Sequence, residues 1–151
     1  MPNSSITIEK TTLSAINTTP NEVIKILKES RTIAIIGMSN KPGRASLEVG
    51  LYLKGHGYHI IPVNPRLKEW ENEKAYPNLT EIPNCIDIIN IFRKPTAIDE
   101  LADEIIEKKP KHVWFQLGIV NNSAAKRFRK AGITVTQNRC IMIEHRLMTK
   151  P

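Results

Sequence analysis

Five short apolar runs, at residues 33–36, 58–63, 86–92, 112–115 and 133–135, alternate along this chain with stretches of helical period at 45–54, 96–109 and 122–131. Strands that recur after crossover helices pair in parallel, and parallel strands that are apolar nearly throughout lie in a sheet covered on both faces. The order predicts an α/β fold: a doubly wound, mainly parallel sheet of about five strands with helices on both faces. The helix at 96–109 is the clearest, because Ile98, Leu101, Ala102, Ile105 and Ile106 fall on the helical repeat and Pro110 follows the last turn. Another helix begins near Thr19, where Thr19-Pro20-Asn21-Glu22 reads as a capping box with proline in the first turn. Folding proper is expected to start there. Residues 1–18, rich in Ser, Thr and Asn, are expected to form a flexible or loosely docked arm, and residues 19–151 a single domain. The segment 67–84 has no clear period, and with Trp70, Tyr76 and Leu79 as anchors it is expected to wrap over one sheet edge.

The loop Gly37-Met38-Ser39-Asn40-Lys41-Pro42-Gly43-Arg44 stands directly between the first apolar run and the first crossover helix. A strand that stops at glycine and restarts as a helix leaves unpaired N–H groups at the helix start, and these together with the helix dipole attract an anion. Parallel sheets bind ligands beyond the carboxyl ends of their strands, so the residues after each run should converge on one crevice. Collected in order, those residues are Ser39, Lys41 and Arg44; Asn64, Pro65 and Arg66; Phe92, Arg93 and Lys94; Gln116 and Gly118; and Asn138, Arg139 and Cys140. Four of the five ends carry a cation and none opens with a carboxylate. The roles expected are these: Gly37 and Gly43 let the backbone turn closely around phosphate, Ser39 donates a hydroxyl, and Lys41 and Arg44 supply charge. Asn64 and Pro65 wall a nucleoside, while Phe92 packs on the base or linker and Arg93 reaches phosphate. A nicotinamide site would carry Asp or Glu after the second strand and a G-x-G-x-x-G loop, and this chain has neither.

With 22 Lys and Arg against 15 Asp and Glu, the net charge of +7 favours anionic partners without choosing among them. No window is apolar enough to span a membrane and no signal pattern opens the chain, so a cytoplasmic protein is expected. Cys85 and Cys140 with the four histidines match no metal-ligand spacing; two buried, reduced thiols are expected and no metal site. Ser39 has no paired histidine and acid that the sequence reveals, Arg139 beside Cys140 is weak evidence for a reactive thiol, and the adjacent Glu144 and His145 point to different sides of a helix. No catalytic residue is assigned.

Taken in order, Ile33-Ala34-Ile35-Ile36-Gly37-Met38-Ser39, Gly57-Tyr58-His59-Ile60-Ile61-Pro62-Val63-Asn64-Pro65, Ile91-Phe92-Arg93, Trp114-Phe115-Gln116-Leu117-Gly118 and Arg139-Cys140 resemble the stand-alone CoA-binding proteins. These are similar in turn to the CoA-binding domain of the succinyl-CoA synthetase alpha subunit. The resemblance runs over nearly all of residues 31–147. It implies a Rossmann-like domain that binds coenzyme A through the loops after its first three strands. On that likeness Gly37, Ser39, Lys41 and Arg44 would meet the phosphates, Asn64, Pro65 and Arg66 the adenosine end, and Phe92 and Arg93 the pyrophosphate or pantetheine side. Two departures stand out: Asn138 where members often have Asp, and Ala75-Tyr76-Pro77 in place of a glycine-rich stretch. The synthetase's phosphorylated histidine belongs to a second domain outside the resemblance, so acyl-CoA synthesis is not implied.

The leading expectation is a module that binds CoA or acyl-CoA without established catalysis. A nicotinamide-dependent or thioester-handling enzyme is the alternative, and a nucleic-acid binder, which lacks the usual base-stacking aromatic clusters, comes third. The acyl group, a protein partner and a homo-oligomer stay open.

Overall fold

The computed structural model describes residues 17–150. Its elements are α1 (Pro20–Glu29), β1 (Thr32–Ile36), α2 (Ala45–Gly55), β2 (His59–Val63), β3 (Glu69–Trp70), β4 (Glu73–Lys74), β5 (Ile88–Ile91), α3 (Pro95–Lys108), β6 (His112–Phe115), α4 (Asn122–Lys130), β7 (Thr134–Thr136) and α5 (Ile141–Met148). Five strands form one sheet in the order β2-β1-β5-β6-β7, with every pairing parallel. The fold is Rossmann-like α/β. Of the arm expected at 1–18, only Asn17 and Thr18 fall within the described residues. Asn17 Oδ1 accepts from Gln137 N at 3.1 Å and the buried Thr18 hydroxyl pairs with that of Thr136. The rest of the arm lies outside the described residues.

Successive strand residues point to opposite faces, and here both faces are apolar. Ala34, Ile36, Ile89, Ile91, Val113 and Phe115 pack against Ile98, Ala102 and Ile105 of α3 and Ala124, Ala125 and Phe128 of α4. Ile33, Ile35, Ile88 and Trp114 pack on the other side against Val23 and Leu27 of α1, Val49 and Leu53 of α2, and Ile141 of α5. Local signals agree with this packing. Thr19 caps α1 by accepting from Glu22 N at 3.3 Å, a contact of a kind that contributes about 1 kcal/mol.

The segment after β2 follows its outer edge. Asn64 N donates to Tyr76 O and Tyr76 N to Pro62 O, at 2.9 and 3.0 Å, and between them β3 and β4 form a small hairpin. Its turn residues, Glu71 and Asn72, both have positive φ, at 49° and 64°. The buried thiols expected at both cysteines are found only in part: Cys140 is half-buried, whereas Cys85 is exposed on the irregular connection that follows Pro83.

The amino-terminal side of the sheet is closed by polar contacts. Asp87 Oδ2 accepts from Arg31 N and Thr32 N at 2.8 and 3.0 Å, and Lys111 Nζ lies 3.4 Å from Oδ1. Burial works to raise the Asp87 pKa, but these N–H donors and the lysine outweigh it and hold the carboxyl below its usual value. His112, buried at the start of β6, sits between the hydroxyls of Thr134 and Thr136 at 2.6 and 2.9 Å. Burial, with the Arg129 charge nearby, pushes its pKa down to about 3, so the imidazole is neutral at neutral pH.

Candidate functional site

At the opposite, carboxyl-terminal edge the strand ladders run on by one residue: Gly37 N donates to Val63 O at 3.0 Å, Phe92 N to Ile36 O at 2.9 Å and Gln116 N to Ile91 O at 3.3 Å. Gly37, Phe92 and Gln116 thus stand side by side on the rim. β1 leads through α2 to β2 on one side, and the chain returns past β1 to β5 on the other, so the connections reverse direction between β1 and β5. A crevice opens at such a reversal. Gly37 lies against its wall, with φ at 87° and so little room that a Cβ there would come within 2.6 Å of the Phe92 carbonyl oxygen. Only glycine serves both demands.

The loop from Gly37 to Arg44 is held in shape by its own polar groups. Ser39 N donates to Ser46 Oγ and Lys41 N to Ser39 Oγ, each at 3.0 Å, and Arg44 N donates to Lys41 O at 3.3 Å. The hydroxyl of Ser39, an acceptor here, still has a proton to donate. Arg44 is the N-cap of α2, and helix geometry leaves the N–H groups of Ala45 and Ser46 without intrahelical acceptors. Asn64 ties this loop to the one after β2. Its Nδ2 donates to Met38 O at 2.7 Å while its Oδ1 accepts from Arg66 N at 2.8 Å, an Asx turn. The amide of Asn64 is therefore largely engaged in holding two loops together, and Pro65 follows exposed beside it.

Two adjoining cavities hold nine of the candidate residues, while Gly43, expected to turn around phosphate, lines neither. One, of about 640 Å³, is lined by Gly37, Ser39, Lys41, Arg44, Asn64, Arg66 and Phe92. The other, of about 500 Å³, is lined by Gly37, Asn64, Pro65, Arg66, Phe92 and Arg93 together with Pro77, Leu79 and Leu101. Lys41, Arg44, Arg66 and Arg93 are exposed, and among the described residues none of them pairs with a carboxylate. Elsewhere Lys111 meets Asp87, Arg127 meets Asp103 and Arg139 meets Glu144, while most other cations among the described residues also stand without a carboxylate partner. The one carboxylate on the second cavity, Glu104, accepts from Leu79 N and Thr80 N through Oε1 at 2.7 and 3.1 Å. The two cavities gather four cations against that single carboxylate beside a helix start, an arrangement that recruits anions.

A third cavity was not evident in the sequence. It measures about 520 Å³ and lies on the far side of Phe92, between α2 and α5, with Cys140, Met142 and Ile143 on its wall. Its residues are scattered over four parts of the chain and follow no shared period, so only the fold assembles them. The motif at 138–140 takes structural roles: Asn138, at φ 58°, accepts from Gly118 N at 2.7 Å, and Arg139 O accepts from Trp114 Nε1 at 2.8 Å. Gln116 Oε1 accepts from Ile141 N at 3.0 Å and so holds the start of α5. Glu144 and His145 face apart, toward Arg139 and toward the Tyr52 hydroxyl. Among the described residues no group of three or more metal-ligating side chains gathers, and no helix is long and apolar enough to cross a membrane.

Comparison with known proteins agrees with this architecture. Residues 31–146 match the family model described as the CoA binding domain. The chain is 37% identical over 129 residues to the uncharacterized protein YneT of Bacillus subtilis, covering 85% of this chain and 96% of that one. It is also 37% identical over 84 residues to the alpha subunit of ADP-forming acetate–CoA ligase II of Pyrococcus furiosus, covering 55% of this chain and 18% of that subunit. Among solved structures, a hypothetical protein from Pyrococcus horikoshii superimposes with a TM-score of 0.85 at 36% identity, over 89% of this chain and 95% of that one. A Thermus thermophilus protein does so with a TM-score of 0.84 at 34% identity, over 87% and 99%.

Proposed function

The chain belongs to the CoA binding domain family, and from that premise we propose that it is a CoA or acyl-CoA binding module whose ligand lies across the carboxyl ends of β1, β2 and β5. The observation that carries the reading is the set of four unpaired cations, Lys41, Arg44, Arg66 and Arg93, around the first turn of α2. A diphosphate over Gly37 and Ser39 would take the free N–H groups at the start of α2 and the Lys41 and Arg44 charges. The adenosine end would lie along Asn64, Pro65 and Arg66, where the arginine favours the ribose phosphate that distinguishes CoA. Asn64 replaces the acid that would repel it. Phe92 and Arg93 would then flank the outgoing pantetheine arm.

Binding without chemistry is the simpler reading of these groups. Ser39 hydrogen-bonds within its own loop, and Glu144 and His145 do not face one another. The cytoplasm, where free CoA is met, is the setting the reading implies. Calorimetry with CoA, dephospho-CoA and NAD tests it. CoA should bind most tightly, dephospho-CoA less so, and NAD weakly; NAD binding as well as CoA would overturn the assignment. Turnover of an acyl-CoA that is lost in Cys140→Ser would favour the thioester enzyme instead, and retention on heparin without affinity for CoA would favour nucleic acid.

A further inference from the structure

Resting on that reading, we infer that the apolar cleft behind Phe92 seats the acyl chain of a CoA thioester, and that the preferred ligand carries an aliphatic acyl group longer than acetyl. The cleft shares Phe92 with both cation-lined cavities and Arg93 with one of them, so the three adjoin at these residues. Their chemistry differs. Two are ringed by Lys41, Arg44, Arg66 and Arg93, whereas the third, bordered by Arg93 and Lys94, is walled beyond them by Val49, Phe92, Leu117, Ile119, Met142 and Ile143. CoA thioesters have the same polarity: a highly charged nucleotide at one end, and at the other an arm that ends in whatever acyl group is attached.

Two of the wall residues are unusually placed for a surface. Leu117 is 65% exposed and Ile143 44% exposed, and they flank the same opening from the loop after β6 and from α5. Scattered singly, such residues need no explanation, but paired over one cleft they offer a ligand apolar area on two sides. Glu48, Arg93 and Lys94 also border the cleft, so its charged groups lie at the rim of an otherwise largely apolar wall.

The test is an affinity series by calorimetry with CoA, acetyl-CoA and hexanoyl-CoA. Each methylene fully removed from water is worth roughly fourfold in affinity. Because the cleft is open on one side, hexanoyl-CoA should bind at least about tenfold more tightly than acetyl-CoA. Leu117→Asp and Ile143→Asp, both at exposed positions, should abolish the hexanoyl gain while CoA affinity stays unchanged. Equal affinities across the series would overturn the acyl seat and leave CoA binding intact, as would a hexanoyl gain that survives both substitutions. Failure to bind CoA at all would remove the underlying reading instead. If sedimentation shows a dimer that Leu117→Asp splits, the cleft belongs to a second copy of the chain and the inference is wrong.

Discussion

Gly37 and Gly43 provide a matched pair for measuring how tightly the crevice is built. Both have φ at 87°, so an alanine at either meets the same backbone strain, of about 1–2 kcal/mol. Both substitutions also restrict the unfolded chain to a similar extent, which offsets part of that cost equally. The two sites differ in what a Cβ would touch. At Gly43 nothing lies within 4 Å, whereas at Gly37 the Phe92 carbonyl oxygen is 2.6 Å away and the Phe92 Cβ 3.3 Å. The carbonyl belongs to the backbone just beyond β5, so it cannot rotate aside as a side chain would, and relief requires β1 and β5 to separate at the rim. Overpacking of this kind costs about 1–3 kcal/mol. Gly37→Ala should therefore unfold at lower urea than Gly43→Ala by that difference, in equilibrium melts at one pH. Because Phe92 borders all three cavities, Gly37→Ala should also lose more CoA affinity. Equal midpoints for the two variants would refute the argument that a close backbone approach, rather than φ alone, dictates glycine at 37.

Three further outcomes are expected. His112 has a folded pKa of about 3 against about 6.5 unfolded, so below neutrality the unfolded state takes up the proton first and stability falls with pH, by about 1.4 kcal/mol per unit between those values. From about pH 6.5 to pH 4.5 the loss should reach about 2 kcal/mol more in the wild type than in His112→Gln, by urea melts; identical pH slopes would count against a neutral buried imidazole. Asp87→Ala should cost about 1–3 kcal/mol by leaving Arg31 N and Thr32 N without their acceptor. Since the folded pKa of Asp87 is depressed, the stability it contributes is present above its unfolded value and is lost as the pH falls through the folded one, and a variant as stable as the wild type would show those bonds to be unimportant. Lys41→Ala and Arg93→Ala should each weaken CoA binding by about 1–3 kcal/mol in calorimetry with melting unchanged, and normal binding by both would mean the ligand sits elsewhere.

The parallel sheet was legible because its strands are apolar nearly throughout, and because Gly37 and Gly43 punctuate a loop that no strand or helix could absorb. The same rule of strand ends brought Lys41, Arg66, Phe92 and Arg93 together before any distance was known. The hairpin of β3 and β4 was not legible. Its strands have two residues each, too short for any period, and its turn puts Glu71 at positive φ, a place where sequence rules look for Gly, Asn or Asp. The strut role of Asn64 was open to reading as an Asx turn with Arg66, but its second bond, to Met38 O, joins residues 26 apart and depends on the fold. Asp87 was likewise invisible, because its value lies in two backbone N–H groups 55 and 56 positions away.

That strut bears on how this scaffold can be rebuilt. A single amide stitches the turn after β1 to the turn after β2, so the two hold their shape as a pair, not as interchangeable parts. A chimera that imports the first turn from a donor lacking asparagine at the partner position would arrive without its tether, however well its own sequence suits a new ligand. Transplants of specificity into this frame should move both turns at once.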